Sequence, residues 1–238
     1  MYFVGNGALL ERAIKFAIKK EIKIDFVILQ SESVIIKKLF NLEIPYLVSN
    51  NVNLDLSNVL ISKFQSDILL VNCSTIIDNK LLRTNNNFFN IHNGIVQKYR
   101  GIAEICVFAA ICNGEKEYGA TLQRLIPDAL IDSGPIVDQR IFAISDSDTF
   151  FTVFLKSVEN CLKLLEFNLE RIITKQFHAN SVPTYGKLYN YDSVVALYKS
   201  SNPYLRTKAI TMGQSKFLLP RLDIKIQNCI ELDINLKL

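Results

Sequence analysis

The sequence predicts an α/β fold, a doubly wound and mostly parallel sheet followed by a small C-terminal segment, and three observations carry that prediction. Short apolar runs such as Ile24–Leu29 (IDFVIL) and Ile68–Val71 (ILLV) have the length and texture of strands buried on both faces. Between them lie segments with apolar residues at helical spacing, clearest in Leu9, Leu10, Ala13, Ile14, Ala17 and Ile18. Strands separated by helices need crossover connections and cannot be hairpins.

Taken in order, Tyr2–Val4 is a short strand, Gly5-Asn6-Gly7 turns, and the first helix runs to Lys19-Lys20. The strand at Ile24–Leu29 is followed by a helix at Glu32–Leu39, a strand at Tyr46–Val48 and a helix at Leu56–Phe64. Ile68–Val71 and Phe88–Ile91 are two more buried strands. Glu104–Asn113 reads as a compact helix that Gly114 ends in a left-handed cap. Glu117–Leu125 and Pro135–Ile144 read as strands, and Thr149–Lys175 as one long amphipathic helix. Beyond His178 the chain is punctuated by Pro183, Gly186, Pro203, Gly213 and Pro220, and Leu222–Leu238 alternates like exposed strands. This texture places a boundary near residue 180, dividing a domain at 1–180 from a segment at 181–238.

Composition narrows the function classes. Of the 238 residues 49% are hydrophobic and 21% charged, which is globular and excludes a disordered or collagen-like chain. The net charge of +4 is scattered, with no basic stripe of the kind that nucleic acid requires. No apolar window reaches the length of a bilayer span, and the N-terminus lacks the charge order of a signal peptide. The five cysteines (Cys73, Cys106, Cys112, Cys161, Cys229) are odd in number and form no Cys-x-x-Cys, which argues against a disulfide framework or a structural metal. The expectation is a soluble, cytoplasmic protein with reduced thiols and neither a membrane nor a nucleic-acid partner.

Chemistry concentrates in the middle. Five of the nine glycines (Gly94, Gly101, Gly114, Gly119, Gly134) lie between Asn90 and Gln139, together with His92, one of only two histidines. In FNIHNG, alternation puts Asn90 and His92 on one face at the C-terminal end of a strand, where open α/β sheets place their ligand crevice. An amide there can donate to a developing oxyanion, and an imidazole can take or deliver a proton. A carboxylate could orient the ring, and Asp132, in an Asp-Ser-Gly-Pro turn, is the candidate. Each residue alone has a plain structural use, as a loop anchor, a satisfied buried histidine or a turn former; His178 is read as structural. Spacing carries the argument no further.

Asn-x-His, then Tyr99-Arg100-Gly101, then Asp132-Ser133-Gly134-Pro135-Ile136 some forty residues after the histidine, resembles the folate-dependent formyltransferases. The resemblance is strong over Ile68–Gln139 and extends over the first 180 residues. It implies a Rossmann-like catalytic domain, 10-formyltetrahydrofolate as donor, no metal, and a site of Asn90, His92 and Asp132. The pterin ring would lie between the loops after Val71 and before Asp132, beside Cys73, Ile126 and Asp128. Many members carry Ser-Leu-Leu-Pro after the histidine; here Asn93-Gly94-Ile95-Val96-Gln97 lacks that rigidifying proline.

His-Asn-Gly, and Thr184–Asn190 (TYGKLYN), are similar to the branch acting on nucleotide-linked amino sugars. That branch implies a thymidine diphosphate-linked 4-amino-4,6-dideoxy sugar made for a bacterial surface polysaccharide such as the O-antigen of lipopolysaccharide. Glycinamide ribonucleotide and methionyl-tRNA are the alternative acceptors, and an inactive folate- or nucleotide-binding module the non-enzyme alternative. For the substrate, Arg100 and Lys98 could meet a diphosphate or simply face solvent. The helix start at Gly5 and Asn6 could receive a phosphate, though two glycines make a weak fingerprint. Tyr185, Tyr189 and Tyr191 could stack on a base or fill core and interface. The C-terminal segment looks too short to bury its own apolar face, so it is expected to pair with a second copy in a homodimer.

Overall fold

A computed structural model describes residues 1–61, 66–182 and 184–235. Along the chain run β1 (Tyr2–Gly5), α1 (Gly7–Lys19), β2 (Phe26–Leu29), α2 (Ile36–Asn41), β3 (Tyr46–Val48), α3 (Val52–Ile61), β4 (Ile68–Val71) and α4 (Asn79–Leu82). Then come β5 (Phe88–His92), β6 (Tyr99–Gly101), α5 (Ala103–Cys112), β7 (Glu117–Leu125), β8 (Ile136–Ala143) and α6 (Phe150–Ile173). The chain continues through β9 (Lys187–Tyr189), α7 (Ser193–Ser200), α8 (Pro203–Ile210), α9 (Ser215–Leu218) and α10 (Pro220–Asn235). A seven-stranded sheet has the order β3-β2-β1-β4-β5-β7-β8, and β6 and β9 make a separate two-stranded one. The first five strands of the large sheet pair in parallel. This is the expected α/β architecture.

Two compact units share the chain. The first takes Met1–Ile91, Leu122–Asp138 and Leu162–Val182. Its core joins Tyr2 and Val4 of β1, Ile28 of β2, Leu56 of α3, Ile68 and Leu70 of β4, and Phe88 of β5. Because β1 is covered on both faces, it reads as an unbroken apolar run. α1 buries Leu10, Ala13, Ile14 and Ala17, spaced at three and four residues, and ends on Lys19, a cation placed favourably at the negative helix end.

The second unit takes His92–Thr121, Gln139–Cys161 and the described residues of 183–238. Its centre is α5, buried continuously from Ile105 to Cys112 and packed by α7 and α8. A helix apolar all round belongs inside a ring of other elements. The chain passes between the units five times.

Three expectations change. Leu222–Leu238 does not form the expected alternating strands and over its described part is helical: Leu222, Ile226 and Cys229 recur at four and three residues and turn into the core of the second unit. The segment therefore buries its own face, and the reason for expecting a homodimer falls away. The helix expected at Glu32–Leu39 starts only at Ile36, because the Ser33 hydroxyl accepts from the Ile35 N–H and holds a turn there. The helix expected at Leu56–Phe64 begins earlier, at Val52, and residues 62–64 of that expectation lie outside the described residues, as does Pro183.

Candidate active site

In the first unit the site grows from β5. Asn90 pairs with Leu70 of β4 near the C-terminal end of both strands. Its Nδ2 donates to Asp132 Oδ1 at 3.3 Å, and Nε2 of Gln123, from β7, donates to the same oxygen at 3.1 Å. Asp132 stands in left-handed backbone, φ 51°, a conformation that Asp tolerates better than most residues. The turn is tied by Ser133, whose N–H and hydroxyl both donate to the Leu130 carbonyl. Gly134 then lets the backbone lie against β7: a Cβ there would sit 2.0 Å from the Arg124 carbonyl oxygen. Local geometry thus delivers the carboxylate to the Asn90 amide.

In the second unit His92 is buried, with 5% exposure, and its Nε2 lies 3.0 Å from the Tyr99 carbonyl oxygen. A carbonyl only accepts, so Nε2 carries the hydrogen and Nδ1 is the nitrogen with a lone pair in the neutral ring. Gly94 makes room for this arrangement, since a Cβ there would fall 2.4 Å from the ring Nε2.

The intervening loop has no proline, yet its carbonyls are held. Tyr118 donates its hydroxyl to Asn93 O at 2.7 Å, Thr121 to Gly94 O at 2.6 Å, and the Gly186 N–H to Val96 O at 2.8 Å. Gln97 and Gln139 exchange side-chain hydrogen bonds, and Gln139 also donates to Thr121. Buried donors supply the rigidity that the missing proline put in question.

The remaining candidates fall into small groups. Asp128, also left-handed at φ 60°, accepts from Asn79 at 3.0 Å and pairs with Arg83, which links the loop before Asp132 to α4. Beside it the apolar Ile126, Leu130 and Ile131 stay exposed, Leu130 to 71%, as does Ile76 (67%) in the loop after β4. Cys73 is half-buried, and burial pushes its thiol up from the ordinary value. Gly5 closes β1, and Asn6 precedes α1 without a side-chain cap because its Oδ1 accepts from Asn72 at 2.6 Å.

In the second unit Lys98 is held by Glu115 at 2.7 Å, and that hydrogen bond raises its pKa. Arg100 donates from Nε to Gly186 O at 2.7 Å, next in sequence to the half-buried Tyr185. Tyr189 is buried and stacks on Tyr99, a core role, whereas the Tyr191 hydroxyl donates to Glu104 and its ring lies under Arg221. Sequence reasoning missed Gln123 and the Tyr99 carbonyl. A fully buried glutamine inside the apolar stretch of β7 was a signal for the first; nothing in a residue's identity announces the second.

Among the described residues no helix is long and apolar enough to cross a membrane, and no group of three His, Cys, Asp or Glu side chains could hold a metal ion. The family model described as formyl transferase matches residues 4–161. A methionyl-tRNA formyltransferase of Wigglesworthia glossinidia brevipalpis is 30% identical over 159 residues, covering 64% of this chain and 48% of that protein. The chain thus spans about half the length of this curated relative. Among solved structures, a sugar N-formyltransferase from a Shewanella species has a TM-score of 0.69 at 19% identity, covering 89% of this chain and 88% of that one. The N-formyltransferase of Helicobacter canadensis, solved with folinic acid and dTDP-3-aminofucose, has a TM-score of 0.63 at 20% identity, covering 79% and 69%. At such identities these two likenesses establish the fold.

Proposed function

We propose that this chain, which belongs to the formyl transferase family, moves a formyl group from 10-formyltetrahydrofolate to the amine of a nucleotide-linked amino sugar. The observation that carries the reading is the hydrogen-bonded pair of Asn90 and Asp132 at the C-terminal end of a parallel strand, inside the matched region and two residues before His92.

The neutral amine attacks the formyl carbon, forming a C–N bond and a tetrahedral oxyanion. An amide nitrogen has two hydrogens, so Asn90 can hold Asp132 with one and donate the other to the oxyanion. His92 takes the proton that the amine sheds, at Nδ1, because Nε2 is engaged with Tyr99. Collapse breaks the bond to the folate N10, and the proton that His92 took is relayed through Asp132 to that nitrogen as it leaves, which returns both side chains to their starting forms. The products are the formamide and tetrahydrofolate.

The donor's flat heteroaromatic ring fits an apolar bed, and Ile126, Leu130, Ile131 and Ile76 offer exposed apolar surface on loops that Asn79 and Asp128 tie together. Cys73 and Asp128 belong to that same pair of loops. For the acceptor, Arg100 and Tyr185 lie together beside Gly186, with Lys98 nearby in sequence, and the proposal gives them the diphosphate and base; Gly5 and Asn6 remain the alternative phosphate contact. A thymidine diphosphate-linked 4-amino sugar for a surface polysaccharide is the acceptor put forward, in a cytoplasmic enzyme. The fold shared with the Shewanella sugar N-formyltransferase, over 89% of this chain, supports the sugar branch. The identity to the methionyl-tRNA enzyme favours a second reading, a tRNA acceptor, against which stands the scattered +4 net charge. A homodimer is retained on new ground, the exposed Phe217 and Leu218 of α9; a single 27.1 kDa species at micromolar concentration removes it.

The test is release of tetrahydrofolate with dTDP-linked 3- and 4-amino sugars, glycinamide ribonucleotide and charged methionyl-tRNA offered separately. Turnover with an amino sugar alone supports the proposal. Turnover only with another acceptor moves the chain to that branch, and binding of donor without any transfer indicates a non-catalytic module.

A further inference from the structure

We propose that Gln123 is a positioning residue, whose side-chain amide fixes the Asp132 carboxylate in the orientation from which it exchanges a proton with the reacting groups. The inference rests on the role given to Asp132 above. Gln123 lies within the buried run of β7 and is itself fully buried. Its Nε2 and the Asn90 Nδ2 converge on one oxygen, Asp132 Oδ1, at 3.1 and 3.3 Å. Two donors on a single oxygen set the plane of the carboxylate. An oxygen already accepting twice is the poorer base, so Oδ2 becomes the oxygen through which a proton is exchanged. The left-handed turn at Asp132 fixes its backbone and not its side-chain torsions, and the two donors on Oδ1 restrain those torsions.

The amide's own orientation is dictated as well. Only its NH2 end can face a carboxylate oxygen, which turns Oε1 away, and that buried oxygen meets no donor among the described residues. An apolar side chain would fill the position with no such penalty. The glutamine is therefore held against stability, as residues that serve a site often are.

Gln123→Met keeps length and volume and removes both polar ends. The expected result is a kcat about tenfold lower, with the KM values for donor and acceptor within about twofold and a melting temperature equal to or above that of the wild type. In an Asp132→Asn background Gln123→Met should add nothing, because it acts through the group already altered. An unchanged kcat overturns the proposal, as does a loss that multiplies with Asp132→Asn or that merely follows a lowered melting temperature. Should Gln123→Met not fold, Gln123→Leu, also apolar and without a donor, carries the same expectation for kcat. If the wild type transfers no formyl group to any acceptor, the functional reading has failed by itself. Crystal structures of wild type and variant then judge the positioning claim alone: the carboxylate should swing out of reach of Asn90 in the variant, and finding it unmoved overturns the claim.

Discussion

The His92 imidazole is hydrogen-bonded through Nε2 to the backbone carbonyl of Tyr99, at 3.0 Å, in a pocket that a Cβ at position 94 would invade. A backbone acceptor fixes the tautomer, and it does so whatever residue occupies position 99. The orientation of the ring thus depends on the loop that carries it and on the bareness of Gly94.

Gly94→Ala should accordingly reduce kcat by about 10- to 100-fold, the usual consequence of displacing a catalytic group by about an ångström. Steady-state kinetics with both substrates checks this, and an unaltered kcat would mean that the ring position is unimportant to turnover.

Asp132 tests the carboxylate separately from its turn. Asp132→Asn suits the left-handed backbone and keeps an acceptor for Asn90, so the protein should melt within about 2 °C of wild type while kcat falls on the order of 100-fold. Asp132→Val, β-branched at φ 51°, should lose about 1–2 kcal/mol of stability besides. Differential scanning calorimetry separates the two effects.

Asp148, whose carboxylate is 6% exposed, supports the start of α6. Burial alone would raise its pKa, but Lys156, the N–H and hydroxyl of Ser145, and the Thr152 hydroxyl together hold it well below the usual carboxylate range. Because the folded value lies under the unfolded one, the stabilisation is present above about pH 4 and is lost as pH falls through the folded value. Asp148→Asn should therefore cost about 1–2 kcal/mol near neutrality, and the gap in melting temperature from wild type should narrow below about pH 3.

The C-terminal helix makes a sharp prediction about packing. Ile226→Ala should cost about 2–4 kcal/mol, whereas Ile224→Ala, at a position 60% exposed, should stay within about 0.5 kcal/mol. On an alternating strand the two positions would share a face and behave alike.

That pair of isoleucines also marks the limit of what the text discloses. The parallel half was legible because β1, β2 and β4 are buried on both faces and carry no polar interruption, while Leu10, Ala13, Ile14 and Ala17 repeat at helical spacing in α1. Past residue 180 the apolar positions 222, 224 and 226 satisfy a two-residue period as well as the helical one, and only tertiary packing decides between them. β6 and β9 are three residues each, too short for any period to show. In the proposed site, residue type and turn chemistry single out Asn90, His92 and Asp132 as candidates, and the family resemblance joins them. The donors around them, Gln123 and the carbonyl of Tyr99, come from pairings that no local pattern encodes.

The most direct measurement is a single-turnover reaction of the purified chain with formyl-labelled 10-formyltetrahydrofolate and a dTDP-linked amino sugar, compared with His92→Ala and Asn90→Ala. The label should pass from folate to the sugar amine in wild type, with rates lower by on the order of 100-fold or more in each variant. Label that stays on folate or appears only as formate, or variants as fast as wild type, would contradict formyl transfer by this strand.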